Sequence, residues 1–368
     1  MKKISITNQV TEDCELACKY CYMWCDKRKN LGKVQDMDTL KNLLNKLTRD
    51  YDTIKLLWHG GEPLLPGLSY YKKVYEVEKY FIEKTGVKIE NSMQTNGILL
   101  TEEYLDLLLD KLKMNIGISL DGDNIENDLA RPMKNGESSF DKSIKALELI
   151  KSKTGCVNIF TVLTAFNASY PERYYSFLKK YKINSCKIFP YSDCKFRGDL
   201  KISNREFFEF HRKLFDMWYF DNNDIYISPV GEIVNYFKKK LCSAFSCENC
   251  LGDTLCIRVD GTINPCANLQ QQEFILGNIN KITSIEQVFS SENYKKLLLK
   301  KKINCEKCER ECLFFPVCGG GCRAQSFYST EDYGGEYPYC EGRANLIYYI
   351  GQNWKKKEEV VQTGKNIE

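Results

Sequence analysis

The 368 residues exceed one ordinary domain and predict one large α/β unit with an appendage, or two domains. With 43% hydrophobic and 28% charged residues the chain is globular rather than disordered, and no apolar run reaches bilayer length, which excludes an integral membrane function. A net charge of +4 is weak over this length, and the lysine runs at 238–240, 300–302 and 355–357 sit near predicted helix ends, where cations suit the dipole; no nucleic-acid or membrane partner is expected. The start MKKISITNQV lacks the apolar core of a signal peptide, so the expected location is cytoplasmic.

In chain order, strand and helix signals alternate. ISIT near 4, LKNLLNKL near 40, IKLLWHGG near 54, a helix through Tyr70 to Phe81, KIENSMQTNG, TEEYLDLLLDKL, NIGISLDG, DKSIKALELIK, CVNIFTVL, PERYYSFLKKY and SCKIFP make up six βα steps. Such steps predict a parallel sheet with helices outside, and ligand sites at the carboxyl ends of its strands. An aromatic-rich helical stretch (REFFEFHRKLFDMWYF, EIVNYFKKK) bridges to a cysteine-rich part. There LCIRVDGTINPC reads as a hairpin turning at Asp260-Gly261, and SIEQVFSSENYKKLLLKKK as helix. The expected division is 1–200, 201–241 and 242–368, the last ending in a helix.

Eighteen cysteines stand against two histidines. In a chain without a secretory signal a disulfide scaffold is disfavoured, and thiolates more often hold metal. His59 and His211 are too few for many mixed zinc sites, which leaves all-cysteine zinc or iron–sulfur clusters. Cys156 and Cys186, in or near strands, are expected to be core thiols, and Cys256 a packing residue.

Cys14, Cys18 and Cys21 stand at C-x3-C-x2-C in the run CELACKYC, just after the first strand. Three thiolates leave one iron of a four-iron cluster open to a ligand. A structural zinc site completed by Cys25 is the alternative, and the motifs at the following strand ends weigh against it. His59-Gly60-Gly61-Glu62-Pro63 follows the second strand, QTNG with Thr95 and Asn96 the third, and ISLDG with Ser119 and Asp121 the fourth, with Arg131 downstream.

This order resembles the radical S-adenosylmethionine (SAM) superfamily, whose signature has an aromatic residue before the last cysteine, here Tyr20. The resemblance implies a partial (β/α)6 TIM-like barrel in which Cys14, Cys18 and Cys21 hold a SAM-binding [4Fe-4S] cluster. It further implies that Gly60, Gly61, Glu62 and Pro63 bind the methionine moiety, that Thr95, Asn96, Ser119 and Asp121 lie beside the cofactor, and that Arg131 pairs with its carboxylate.

The late cysteines resemble a C-terminal SPASM domain carrying two auxiliary [4Fe-4S] clusters. Cys250, Gly261 and Cys266 are followed by Cys308, Cys312, Cys318 and Cys322, with Gly319 to Gly321 in the last interval, and by Cys340. By that resemblance one cluster takes Cys250, Cys266, Cys322 and Cys242 or Cys247; the other takes Cys308 or Cys305 with Cys312, Cys318 and Cys340. The glycines suit backbone wrapping close to inorganic sulfide. A zinc ribbon is the alternative, and the x5 and x3 intervals do not favour it.

The resemblance implies a SAM-derived radical and oxidation of a peptide or protein substrate, with a donor such as flavodoxin or ferredoxin. Peptide maturation by thioether or carbon–carbon crosslinks is placed first. Formylglycine formation by a sulfatase-maturase type enzyme is second, because that branch has a basic aspartate after the cysteine equivalent to Cys266, where this chain has Ala267. Small-metabolite chemistry and a non-enzymatic electron carrier are further alternatives. Asp193, Asp199 and Asp253 are candidate bases. Only thirteen residues precede Cys14, so a leader peptide is expected to be read by a separate protein, by the barrel mouth, or not at all.

Overall fold

The computed structural model describes residues 2–24, 30–194, 197–221, 223–239 and 251–355. Its strands are β1 (Lys3–Gln9), β2 (Thr53–His59), β3 (Lys88–Thr95), β4 (Asn115–Ser119), β5 (Asn158–Leu163), β6 (Ser185–Pro190), β7 (Tyr226–Ser228), β8 (Thr254–Ile257), β9 (Thr262–Asn264) and β10 (Gly277–Asn278). Each of β1 to β6 is followed by helix, as the alternation requires. No described helix is long and apolar enough to cross a membrane.

The chain forms two compact units. The first comprises Met1–Ser119, Arg131–Val157 and Asn249–Lys301, with strand order β10-β9-β8-β1-β2-β3-β4. β1 to β4 run parallel, in register Gln9↔His59 and Trp58↔Met93. The expected hairpin forms as β8 and β9, and β8 pairs in parallel with β1 through Ser5↔Thr254 and Thr7↔Cys256. That edge pairing draws residues after 249 into the first unit, so compactness does not follow the expected boundaries at 200 and 241.

Side-chain alternation sets the two faces of these strands. Ile54, Leu56 and Trp58 of β2 are buried together with Leu40, Leu43, Leu44 and Leu47 of helix Met37–Leu47. Trp58 Nε1 donates to Asn91 Oδ1 at 2.8 Å, and Asn91 Nδ2 to Glu78 Oε2 at 2.8 Å. His59 and Gln94 alternate onto the opposite face. Helix starts follow side-chain caps: Asp36 accepts from Thr39 N–H, Ser138 from Asp141 N–H, and Ser203 forms a capping box with Glu206. The predicted TEEYLDLLLDKL helix widens in its last turns, where Leu112 N–H donates to Leu107 O.

The second unit comprises Leu120–Ala130, Asn158–Glu248 and Lys302–Glu368, with β5, β6 and β7 parallel. The short β7 escaped the sequence reading, since three residues show no period. Helix Asn204–Phe220 buries Phe207, Phe210, Leu214 and Phe215. Helix Cys340–Asn353 packs on it where Gly342 lacks a side chain: a Cβ there would stand 2.5 Å from Asn204 O. Cys186 and Cys256 are buried as expected, whereas Cys156 is exposed. Its helix ends at Gly155 and β5 begins only at Asn158, so Cys156 falls in the connecting turn.

Candidate functional site

The loop after β1 carries Cys14, Cys18 and Cys21, and antiparallel backbone pairing fixes it. Leu16 bridges Met133, Ala17 N–H donates to Pro132 O at 2.9 Å, and Lys134 N–H to Glu15 O at 3.1 Å. Leu16, Cys18 and Met133 form a small buried cluster, with Cys14, Tyr20, Cys21 and Ile98 packed against it. The three thiols therefore share one apolar wall. Leu16 N–H points at Cys14 Sγ (3.4 Å), and in the same unit Asn268 N–H points at Cys266 Sγ (3.5 Å), the donor geometry that suits a metal-bound sulfur.

The second motif closes on this loop from β2. Gly61 N–H donates to Thr11 O (2.8 Å) and Glu62 N–H to Asp13 O (2.7 Å). A Cβ at Gly61 would lie 2.0 Å from Asp13 O, and one at Gly60 2.6 Å from Thr11 O, with Gly60 at φ 123°. The glycines thus let the β2 end touch the cysteine loop itself.

Glu62 is 1% exposed and accepts from Leu64 N–H (3.0 Å), Thr95 Oγ1 (2.6 Å) and Asn96 N–H (2.9 Å). Burial, then the charge of Glu15, push it up to about 7. Asn96 Nδ2 donates to Glu15 Oε1 (3.1 Å) and reaches Cys14 Sγ (3.8 Å). Pro63 O accepts from Tyr71, Gln94 Nε2 approaches Ser119 Oγ at 3.4 Å, and Arg131 Nη1 donates to Tyr20 OH at 2.6 Å. Burial and the charges of Glu62, Cys18 and Glu15 push the Cys14 thiol well above its ordinary range. Two carboxylates, Glu15 with a buried Oε2 that has no hydrogen-bond partner, face this thiol. That arrangement fits a cationic ligand, such as the ammonium and sulfonium of SAM beside an iron–sulfur cluster.

Asp121 belongs to the second unit and is fully buried. Its Oδ1 accepts from Val162 N–H at 2.8 Å and its backbone O from Asn167 Nδ2, so it braces the turn before β5.

Two residues that the motifs did not assign stand beside these. Tyr22 OH lies 3.1 Å from His59 Nδ1, and Gly60 N–H donates to the same nitrogen at 2.7 Å. With Nδ1 an acceptor, the ring proton sits on Nε2. Burial draws His59 down to about 4, so the ring is neutral. Burial and then the charges of Cys256, Cys21 and Cys266 raise Tyr22, which places this pair among the thiols. Glu12 and Arg258 form a buried ion pair at 3.1 Å, with Asn30 on both oxygens of Glu12. It ties β8 to the loop after β1, and no local signal marks partners so distant in sequence.

In the second unit, helix Glu292–Glu311 carries Cys305 and Cys308, and Cys312 N–H donates to Cys308 O. Burial raises Cys308, Arg323 draws it down, and Cys318, Cys305 and Cys312 push it up. Cys340 is raised by burial to about 11, with Cys318, Glu336, Cys312 and Cys308 adding to it. Gly319, Gly320 and Gly321 all have φ between 63° and 80°, a run that other residues avoid. Their close neighbours are side chains: a Cβ at Gly321 would stand 2.3 Å from the Tyr337 ring, and one at Gly320 3.3 Å from Asn304 Oδ1. Cys322 caps helix Arg323–Thr330 in this unit, while Cys266 belongs to the first. Cys25, Cys242, Cys247 and Cys250 lie outside the described residues.

Among the described residues no three Cys, His, Asp or Glu side chains converge on the point a single metal ion would take. Of the aspartates considered as bases, Asp199 is exposed and forked onto Arg197 (2.8 and 2.7 Å), and Asp253 is exposed. Asp193 is half-buried and accepts from Tyr191 OH at 3.2 Å.

Known proteins resemble this chain in sequence and fold. A serine-type anaerobic sulfatase-maturating enzyme of Bacteroides thetaiotaomicron is 26% identical over 375 residues, covering 94% of this chain and 89% of that protein. A cysteine-type anaerobic sulfatase-maturating enzyme of Clostridium perfringens is 28% identical over 328 residues, covering 84% and 86%. Native anSMEcpe, solved with bound AdoMet and Cp18Cys peptide, superposes with a TM-score of 0.83 at 25% identity, over 99% of this chain and 100% of that one. Residues 8–178 match the Radical SAM superfamily and residues 247–313 the SPASM iron–sulfur cluster-binding domain. The chain belongs to the radical SAM superfamily and carries a SPASM iron–sulfur cluster-binding domain.

Proposed function

We propose that this radical SAM enzyme matures sulfatases or sulfatase-like proteins, oxidising a serine or cysteine side chain of a peptide segment to the aldehyde of formylglycine. The observation that carries the reading is the likeness to serine-type and cysteine-type sulfatase-maturating enzymes along 94% and 84% of the chain. Crosslinking, placed first on sequence grounds because of Ala267, yields to it, since those relatives align through both the barrel and the cysteine-rich part. This reading needs no separate leader-binding protein.

The bound cofactors would supply a carbon-centred radical that removes hydrogen from the substrate and a sink for the electron then released. A donor such as flavodoxin or ferredoxin would provide the initiating electron. We assign Cys14, Cys18 and Cys21 to the SAM-binding cluster. We place Cys308, Cys312, Cys318 and Cys340 at one auxiliary cluster, with Cys305 the alternative to Cys308. By the family resemblance alone, a further cluster would take Cys250, Cys266, Cys322 and Cys242 or Cys247, for three clusters in all.

Glu62 and Glu15 attract the cationic end of SAM, Asn96 orients Glu15, and Arg131 with Tyr20 closes the far side. Tyr22 and His59 present a neutral, hydrogen-bonded pair, so no charge of theirs opposes a neutral substrate side chain. Ala267 offers no base; its carbonyl accepts from Gln270 Nε2 at 2.9 Å. The half-buried Asp193, for which no ion pair is found among the described residues whereas Asp199 pairs with Arg197, takes the proton in this reading.

The test is anaerobic incubation of the reconstituted protein with SAM, a reductant and a sulfatase-derived peptide bearing the target cysteine or serine, followed by hydrazide labelling. Aldehyde on the target residue together with 5′-deoxyadenosine is expected. A label-free, dehydrogenated peptide with 5′-deoxyadenosine would overturn formylglycine in favour of a crosslink.

A further inference from the structure

The thiols of the second unit are flanked by two buried guanidinium groups. Arg323 is 3% exposed and Arg343 4%. Arg323 gives its N–H groups to carbonyls: Nη1 to Gly335 O (2.9 Å), Nη2 to Gly320 O, and Nε to Gly321 O (3.4 Å). Those acceptors are dipoles rather than charges. Gly320 and Gly321 lie between Cys318 and Cys322 in the chain, so these bonds hold the guanidinium against the cysteine-bearing turn.

Arg343 sits three residues beyond Cys340 on helix Cys340–Asn353, so both face one way. Its Nη1 lies 3.5 Å from Cys318 Sγ, its Nη2 donates to Tyr337 OH at 2.7 Å, and the guanidinium lies over the Tyr337 ring at 4.2 Å. Tyr337 is itself seated where Gly321 has no side chain. Glu232, which accepts from Ser228 Oγ at 2.6 Å, also feels the charge of Arg343.

A cationic N–H donor aimed at a cluster sulfur stabilises the more negative, reduced form of the cluster. A four-iron cluster on four thiolates is an anion, and its charge grows by one on reduction. We propose that Arg323 and Arg343 balance the charge of the auxiliary cluster held by Cys308, Cys312, Cys318 and Cys340, and that Arg343, through Cys318, holds its reduction potential up. Neither arginine touches substrate; Arg343 is a positioning residue that acts through the cluster. The inference rests on the ligand assignment made above. It gives that cluster the character of an electron acceptor, as an oxidation requires.

The experiment compares Arg343→Met and Arg343→Lys in the full chain, both with Cys14, Cys18 and Cys21 changed to alanine so that only auxiliary iron remains. Iron and sulfide content is measured first, then the midpoint potentials by redox titration followed in the visible and by paramagnetic resonance. With iron unchanged, Arg343→Met is expected to lower one of the two auxiliary potentials by at least tenfold in the oxidised-to-reduced ratio, about 59 mV for one electron. Arg343→Lys, which keeps the charge, is expected to shift it by less than half as much. Unmoved potentials at full iron content, or equal shifts in both variants, would overturn the charge reading and leave the cluster assignment standing. Loss of about four irons in Arg343→Met alone, with lysine retaining them, would support charge balance. Absence of auxiliary iron from the parent triple-alanine protein would overturn the assignment itself.

Discussion

Gly61→Ala is the sharpest single perturbation of the cysteine loop. The added methyl would stand 2.0 Å from Asp13 O, 2.7 Å from Asp13 C and 2.8 Å from Glu12 C. All three are backbone atoms, so no rotamer change relieves the clash, and separating carbon from oxygen to ordinary contact requires a shift of about 1 Å or more. That shift breaks or lengthens the bonds Gly61 N–H to Thr11 O and Glu62 N–H to Asp13 O. Two backbone bonds at roughly 1 kcal/mol each, with about 1–3 kcal/mol for overpacking, give a local cost of roughly 3–5 kcal/mol. The loop bearing Cys14 is expected to yield before the surrounding sheet, because the sheet is held by long parallel pairing. Iron content should therefore fall by about four per chain and 5′-deoxyadenosine formation should drop at least a hundredfold, while the late cysteines keep their iron. Iron analysis and a SAM cleavage assay measure this; full iron with parental cleavage would refute the claim that close approach at Gly61 positions the loop.

Three further outcomes are expected. Cys308→Ala should lose about four irons whereas Cys305→Ala retains them, and the reverse pattern would exchange their roles. Asp193→Asn should still cleave SAM but form at least tenfold less peptide aldehyde; parental aldehyde yield would remove Asp193 as the proton acceptor. Glu78 is buried against Asn91, and burial lifts its carboxyl from 4.5 to about 8. The folded state then holds that proton more tightly than the unfolded chain, so stability is fully present below about pH 4.5 and is lost as pH rises through 8. Glu78→Gln keeps an acceptor for Asn91 and should raise the melting temperature over the parent by more at pH 8 than at pH 5; a difference independent of pH would refute this.

Much of the fold is legible in the sequence because each βα step carries its own period and its own caps. Ile54, Leu56 and Trp58 alternate as a strand must, and Asp36, Ser138 and Ser203 announce the helices they cap. The hairpin at Asp260-Gly261 is equally local, but nothing near it tells that β8 will pair with β1 at Ser5↔Thr254. That pairing depends on the closing of a chain of some 250 residues, and it is why compactness ignores the expected boundary at 242.

The site divides along the same line. Cys14, Cys18 and Cys21, Gly60 to Glu62, Asn96 and Arg131 were visible as motifs, and the structure gathers them within one unit. The contact that requires Gly61 lies with Asp13, and the partner of Arg131 is Tyr20; such pairings are tertiary and leave no trace at either residue. Arg343 was readable in principle, since three residues past Cys340 on a helix is one turn, but that required knowing that Cys340 begins the helix. Cys156 shows the converse: its surroundings look like a strand, yet the cap at Gly155 and the start of β5 at Asn158 leave it in a turn.

The proposed function requires three four-iron clusters, one of which cleaves SAM. Anaerobic reconstitution followed by iron and acid-labile sulfide analysis, and then reduction in the presence of SAM, tests it most directly. About twelve irons with matching sulfide and release of 5′-deoxyadenosine are predicted. Few irons, bound zinc and intact SAM would contradict the account.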